Sequence, residues 1–234
     1  MHSHVPKSVL VSKNKARSWA YGYNEKYDVI IISQDGTLGE IYFINGLYIG
    51  LPKLSKDISS RSKKKEEQYW EPTPIARELK NIKSIFQWHE TPDTFKAEWV
   101  DYVEQEFDRR EQGHWFMNNG SPVYLTGTHY MYLQWTKIDV GNPDFREANR
   151  IFYIFWEACK ADKRSFGMCY LKIRRSGFSF MSSCEGVNQA TITKDSRIGI
   201  LSKTGSDAKK MFTDKVVPIS NNYPFFFRPI QDGM

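Results

Sequence analysis

The residues with the clearest chemical potential form the stretch Lys172-Ile173-Arg174-Arg175-Ser176-Gly177-Phe178-Ser179. It can be aligned with the phosphate-binding template G-x-x-x-x-G-K-[ST], which Gly177 and Ser179 match and from which Lys172 and Phe178 depart. Three cations crowd this turn, and burying them without a counter-anion would be costly. We therefore expect them to reach the β- and γ-phosphates of a nucleotide, with the Ser179 hydroxyl on Mg²⁺. A basic strand-to-helix turn that binds no ligand is the alternative.

The elements around this stretch should place it at the edge of a sheet. The run Gly167-Met168-Cys169-Tyr170-Leu171 predicts a strand before it, and a helix should follow to about Ala190. A second strand, Ile198-Gly199-Ile200-Leu201, precedes a helix capped by Ser206-Asp207. The apolar face of that helix is Ala208, Met211, Phe212 and Val216. In such a βαβα unit the loop lies at the carboxyl edge of a parallel sheet, where the N–H groups that begin the next helix can bind an anion.

Charge is unevenly distributed along the chain. Its 234 residues include 33 Lys and Arg against 27 Asp and Glu, a net charge of +6. Residues 1–110 are close to neutral, whereas residues 111–234 hold sixteen bases and eleven acids. With 40% hydrophobic and 15% aromatic residues, the composition is that of a globular protein and excludes disorder as the main state. The basic second half favours a phosphate-bearing partner, and a merely solvated surface is the alternative.

The cysteines, His129 and the hydropathy of the chain argue against a disulfide framework, a zinc site and a membrane span. Cys159, Cys169 and Cys184 are odd in number and lack CxxC spacing, which favours reduced thiols over a disulfide framework. His129 has no cysteine or carboxylate at ligand spacing, so zinc is not expected. The longest apolar run, from Ile151 to Trp156, falls far short of the roughly 18 residues of a membrane span.

The first part of the chain predicts a small β-meander and then a linker. Three β-branched and aromatic runs within residues 27–51 are separated by Asp35-Gly36 and Asn45-Gly46, which are typical hairpin turns. Residues 55–73 contain the charged run Arg61-Ser62-Lys63-Lys64-Lys65-Glu66-Glu67, which is typical of a mobile linker.

Two helices are predicted in the middle of the chain. Thr91-Pro92-Asp93 indicates a helix start and Gly113 its end, with a buried face of Phe95, Trp99, Tyr102, Val103 and Phe107. Between the helices, residues 121–135 are rich in Tyr and Gly and predict aromatic packing beside an irregular loop. Asp144 is the candidate cap of the second helix, whose buried seam would be Phe145, Ala148, Phe152, Phe155 and Cys159.

The loop resembles the deviant Walker A motif of lambda-like terminase large subunits, the ATP-driven motors that package DNA into the procapsids of tailed phages. The pattern K-x-x-R-x-G-[YF]-S, with the functional lysine at its front, is matched by Lys172, Arg175, Gly177, Phe178 and Ser179. Ile198 to Ala208 is similar to the second strand and following loop of these motors. Thr126 to Leu133 and Asp144-Phe145-Arg146 resemble the approach to their ATPase core. The similarity extends over residues 120–234.

The resemblance implies an α/β fold: an incomplete P-loop NTPase of the additional-strand type, with a βαβα core preceded by a small β-meander and helices. It implies ATP and Mg²⁺ as cofactors. The residues it assigns to them are Lys172, Arg174, Arg175, Ser176, Gly177, Phe178 and Ser179, with Ser179 on the metal. Arg146 lies where many relatives carry a glutamine that contacts adenine.

The resemblance also implies partners and a location. The partners are double-stranded DNA, the portal protein and the small terminase subunit, with a homo-oligomeric ring and no membrane. The location is the host cytoplasm, and transiently the procapsid. The expected domains are an arm with the meander (1–54), a charged linker (55–74), a helical and irregular lead-in (75–143) and a truncated ATPase core (144–234).

The expected catalytic set is incomplete. Walker B requires an apolar strand that ends in Asp-Glu, and no acid after Gly177 follows such a strand. No catalytic residue is therefore assigned, and the missing ATPase strands and nuclease domain predict a truncated product, a fragment or a partial record. Two alternatives stay open: a non-enzymatic nucleic-acid-binding module, and a helicase-like P-loop ATPase unrelated to packaging.

Overall fold

The computed structural model describes five strands between Leu10 and Pro52 and residues 70–229, without residues 119–120, 140, 162–165 and 175. The first strands are β1 (Leu10–Val11), β2 (Gly22–Asn24), β3 (Val29–Ile31), β4 (Leu38–Ile44) and β5 (Leu47–Pro52). They form an antiparallel sheet in the order β1-β5-β4-β3-β2. Ile44 pairs with Leu47, so two residues connect β4 and β5. The predicted meander is confirmed. Residues 55–69 of the predicted linker lie outside the described residues, whereas its end is held in place, since the Thr73 backbone and the Gln134 amide exchange two hydrogen bonds of 3.2 and 2.6 Å.

The rest of the described chain is rich in helices. They are α1 (Ile85–Glu90), α2 (Asp93–Gln112), α3 (Gly127–Gln134), α4 (Glu147–Ala161), α5 (Phe178–Ile192), α6 (Gly205–Met211) and α7 (Val217–Asn222). Between α2 and α3, β6 (His114–Asn118) pairs with β7 (Ser121–Leu125). A π-helical turn, Phe212–Val216, joins α6 to α7, and 3-10 turns occur at Leu79–Asn81 and Phe225–Phe227. None of the described helices is both long and apolar enough to span a bilayer.

The chain folds into two compact units, each assembled from separate segments. The first contains Met1–Trp70, Asp108–Tyr130 and Asp144–Leu171, and the second contains Glu71–Phe107, Met131–Pro143 and Lys172–Met234. The division expected from sequence runs instead in consecutive segments, and it stays a prediction.

The core of the first unit is built on a buried histidine. The His129 ring is fully buried and stacks on Tyr153 and Phe145, with ring centroids 4.9 and 5.9 Å away. Burial, and then the charge of Arg150, lowers the pKa of His129 to about 3. The ring is therefore neutral and acts as an aromatic packing element.

The core of the second unit is aromatic. Phe225, Phe226 and Phe227 are all buried. Phe226 meets Tyr102 and Trp135 edge to face at 6.2 Å, and Trp88 lies 5.5 Å from Phe225. These rings also include Phe107, 5.0 Å from Phe227. Aromatic pairs at these separations stabilise a core beyond the area that they bury.

Helix α2 confirms the prediction from Thr91-Pro92-Asp93 and Gly113. Gly113 ends the helix with φ +82°, and a Cβ there would lie 2.4 Å from the Leu125 carbonyl oxygen, so only glycine fits. The predicted apolar face is half-buried, apart from Phe107, which is 37% exposed. More deeply buried is Glu106, whose carboxylate accepts a hydrogen bond from Trp135 Nε1 at 3.0 Å.

Two predictions in the middle of the chain are wrong in detail. Residues 121–134 form β7 and α3 rather than an irregular loop, because the Tyr- and Leu-rich run is almost wholly buried and needs regular hydrogen bonding. In α4 the buried side chains include Asn149, Phe152 and Tyr153, whereas Ala148 and Phe155 are exposed. The buried face is rotated from the predicted seam because Arg150 turns inward and pairs with Glu147, with Nη2 2.6 Å from the carboxylate.

The two strands predicted around the candidate loop are also absent. Residues 166–173 and 198–202 have no regular secondary structure. Neither stretch forms a ladder with any of the described strands, and a strand requires such pairing. Leu171, Ile173 and Leu201 consequently remain 100%, 69% and 98% exposed. The two helices of the predicted βαβα unit do form, as α5 and α6.

The buried histidine predicts a pH-dependent stability. Its pKa is about 3 when folded and near 6.5 when unfolded, so its contribution is complete above pH 6.5 and is lost as pH falls toward 3. By pH 5 the free energy of unfolding should fall by about 2 kcal/mol through His129 alone. Urea unfolding at pH 7 and pH 5 should show a smaller loss in His129→Phe than in the parent chain.

His114 keeps part of the pH dependence in that variant, because burial and Arg109 lower its pKa to about 4. The control is His89→Gln, at an exposed position. An unchanged loss in His129→Phe would show that the His129 ring is not buried and neutral.

Candidate functional site

The candidate loop leads directly into helix α5, and Gly177 sets the angle of entry. Gly177 is the N-cap of α5 with φ +82° and ψ 1°, a left-handed conformation that a residue with a Cβ adopts at a cost. Phe180 and Met181 donate their N–H groups to the Gly177 carbonyl at 3.0 and 3.3 Å. The glycine therefore both turns the chain and begins the hydrogen bonding of the helix.

No side chain caps the first turn of α5. The first N–H groups of a helix have no partner within the helix, and they carry the positive end of its dipole. In α6, by contrast, Thr204 accepts the Asp207 N–H at 3.1 Å, which also shows that Thr204 rather than the predicted Ser206 is the cap. The start of α5 is accordingly open to an anion.

The cations of the loop stand in solvent. Lys172 and Arg174 are exposed, and neither forms an ion pair with any described residue. Arg175 lies outside the described residues. The expectation that these cations stand at the tip of a buried strand is wrong, because the preceding residues are themselves exposed. Long exposed side chains next to an uncapped helix can still reach a bound anion.

The two serines of the loop differ in environment. Ser179 is exposed on the first turn, and its carbonyl accepts the Ser182 hydroxyl at 3.2 Å. Ser176 is half-buried, and its Oγ is shielded from solvent with no hydrogen-bond partner in the described part of the chain. A shielded hydroxyl without a partner costs free energy, so Ser176 is a candidate anion contact. Phe178, where the template has lysine, is half-buried.

Arg146 belongs to the first unit, whereas the loop belongs to the second. It is exposed just before α4, and its carbonyl accepts the Asn149 and Arg150 N–H groups at 3.0 and 3.1 Å. The backbone of Arg146 thus helps to start α4.

The acids beyond the loop do not converge. Asp207 accepts the Thr204 hydroxyl at 2.8 Å, and Asp214 accepts the Thr213 hydroxyl at 3.2 Å. Asp195 lies in a turn with φ +57°, Glu185 is buried on α5, and Asp232 lies outside the described residues. Within the described ranges no group of three His, Cys, Asp or Glu residues could hold a metal.

A mostly apolar groove of about 640 Å³ lies along α5, next to the loop. Its walls are α5, residues 198–201, the end of α6 and the π-helical turn. Residues that contribute include Phe178, Ser183, Ile198, Ile200, Met211 and Val216. Sequence reasoning missed the groove, although the apolar spacing of Met211 and Val216 pointed to a buried face there.

The left-handed Gly177 predicts an asymmetry between two glycine substitutions. In Gly177→Ala the new Cβ would lie 3.7 Å from the Tyr132 hydroxyl, an ordinary contact, so the cost is backbone strain of about 1–2 kcal/mol. The control Gly205→Ala places a methyl in open space on the first residue of α6 and should be neutral or stabilise by up to about 1 kcal/mol. Urea unfolding of both variants measures the difference. Equal midpoints would contradict a left-handed residue 177.

No family model matches the chain, no curated protein matches it, and no solved structure matches it. The assignment of a function therefore depends on the site itself and on the terminase motifs quoted above.

Proposed function

We propose that the loop at the start of α5 binds the phosphates of a nucleotide, as the ATP site in the N-terminal part of a phage terminase large subunit. The observation that carries this proposal is a helix start without a side-chain cap, preceded by a left-handed glycine, beside two exposed cations that pair with no acid in the described part of the chain. Backbone N–H groups at such a helix start bind phosphate well.

Each group of the loop has a distinct part in this proposal. The positive end of the α5 dipole and the Ser179 N–H hold phosphate oxygens, and Lys172 and Arg174 neutralise their charge from the solvent side. Arg175 would add a third cation. The Ser176 hydroxyl, which lacks a partner among the described residues, supplies a further donor.

The exposed Ser179 hydroxyl suits a Mg²⁺ ion that phosphate oxygens also coordinate. Magnesium usually keeps several waters and takes only one or two ligands from the protein, so the lack of a three-residue ligand cluster in the described chain fits this role. When bound, the metal would neutralise phosphate charge. Phe178 replaces the lysine of the common template, and the exposed Lys172 substitutes for it from the front of the loop.

The wider role follows from the terminase resemblance. In that role the chain is the ATP-binding part of a motor that packages double-stranded DNA, assembled as a ring on the portal with the small terminase subunit. It would act in the host cytoplasm and, transiently, on the procapsid. Hydrolysis needs a carboxylate to orient the attacking water, and the described acids beyond Gly177 do not gather at the loop.

A second candidate function is nucleic-acid binding without ATP. It is favoured by the exposed bases of residues 194–210, which bind phosphate without any built pocket. These bases are Lys194, Arg197, Lys203, Lys209 and Lys210. This function predicts an affinity for DNA that falls steeply with salt and does not respond to ATP. A helicase-like ATPase would share the loop and differ in its partners.

The nucleotide proposal predicts that Lys172→Ala weakens binding of a fluorescent ATP analogue with Mg²⁺ on the order of tenfold, the loss of one charge-assisted contact. The matched control is Lys194→Ala, which removes an exposed lysine at the far end of α5 and should leave the affinity unchanged. Equal affinities in the two variants would overturn the assignment. If the parent protein and both variants fail to bind the nucleotide analogue but bind DNA in a salt-dependent way, the second function holds instead.

A further inference from the structure

The groove beside α5 has one wall whose backbone is unpaired. Residues 197–202 form no hydrogen bond, by backbone or side chain, with any residue that the structure describes. The sequence there, Arg197-Ile198-Gly199-Ile200-Leu201-Ser202, is rich in β-branched residues. An exposed segment with apolar side chains and unpaired N–H and C=O groups can pair with another strand.

The apolar side chains of this wall are only partly covered. Ile200 is half-buried and Ile198 is 49% exposed, whereas Leu201 is 98% exposed. Ile198 packs against the backbone of α5 at Gly186, because a Cβ placed on Gly186 would lie 3.3 Å from the Cγ2 atom of Ile198. Residues 198–201 all line the groove, and Leu201 also extends into solvent.

The cations around residues 197–202 restrict which peptide can bind in the groove. Arg197 and Lys203 are exposed at the two ends of the segment, and no acid lies between them. Lys209 and Lys210 are exposed on the neighbouring α6. An apolar strand with acidic ends is therefore complementary, and one with basic ends is repelled.

The groove also contains a buried hydroxyl that lacks a hydrogen-bond partner among the described residues. Ser183 is 2% exposed and lines the groove, and its Oγ has no hydrogen-bond partner in the described part of the chain. A partner with its own polar groups would satisfy this hydroxyl, which a purely apolar molecule would leave buried and unbonded.

We propose that residues 197–202 accept an extended peptide strand, apolar in its middle and acidic at its ends, from a partner polypeptide. The strand pairs its backbone with this segment, and its apolar side chains enter the groove along α5. This mode of recognition takes affinity from main-chain hydrogen bonds and specificity from alternate side chains. The proposal is independent of nucleotide binding at the loop.

The test uses the full chain and a synthetic peptide whose core alternates valine with threonine and whose ends are glutamates. We expect saturable binding, together with slowed hydrogen exchange at the amides of residues 197–202. The same peptide with lysine ends should bind at least tenfold more weakly. Reversing the rim with Arg197→Glu and Lys203→Glu should exchange the two preferences.

A backbone control separates strand pairing from simple filling of the groove. Gly199→Pro removes a backbone donor in the middle of the segment and should weaken binding at least tenfold. Gly205→Pro, on the first residue of α6 where proline is tolerated, should not change it.

Three outcomes would overturn the proposal. Binding without amide protection would mean that the groove takes apolar groups but not a strand. Protection that rises with protein concentration in the absence of peptide would make the occupant a second copy of the chain. The absence of both binding and protection would leave the segment without a strand partner.

Discussion

The main constraint on the second half of the chain is the need of backbone N–H and C=O groups for partners. Among the described residues from 171 to 202, backbone hydrogen bonds come from helix α5 and the turn that follows it. The described residues 171–174 and 197–202, for which no such bond is found, must therefore stay in contact with water or receive bonds from another molecule. The exposed leucines at 171 and 201 follow from this constraint, because a segment that cannot bury its backbone cannot bury its side chains either.

Helix α5 tolerates this situation because its own packing is independent of the unpaired segments. Met181 and Cys184 are buried on one face, and the Cys184 sulfur lies 3.4 Å from the Thr136 hydroxyl. On another side, Lys215 lies 3.7 Å over the Phe180 ring and so fastens the π-helical turn to the helix. With the helix fixed in this way, its N-terminus is held in place while the loop before it remains open. A well-packed helix and the exposed side chains of Lys172 and Arg174 before it are a physically consistent arrangement for binding an anion.

Local signals in the sequence predicted the features that depend on local chemistry. Asp93 and Gly113 marked the ends of α2 because helix starts and left-handed glycines act over a few residues. The meander followed from Asn45-Gly46 for the same reason. Gly177 was identified as the late glycine of the phosphate-binding template, and the structure gives it a φ of +82° at the start of α5. The predictions that were wrong depended on features that the apolar pattern does not carry. The two strands needed a pairing backbone elsewhere in the chain, and in α4 the charged Arg150 is buried beside Glu147, one turn away on the same helix.

Separate sets of exposed cations flank the loop and the groove, so the two proposals share a kind of interaction but neither depends on the other. Lys172 and Arg174 stand before α5, whereas Arg197 and Lys203 bracket a segment that follows it. A phosphate at the helix start interacts with a localised set of amides, so it demands geometry that Gly177 provides. A peptide strand on residues 197–202 would bind mainly through its backbone, so it requires unpaired amides in this segment. The surrounding cations would then select which peptide binds. Nucleic acid would need neither the glycine nor the free strand edge, because cations at suitable spacing are enough. The presence of both structural features is what favours two built sites over a uniformly basic surface.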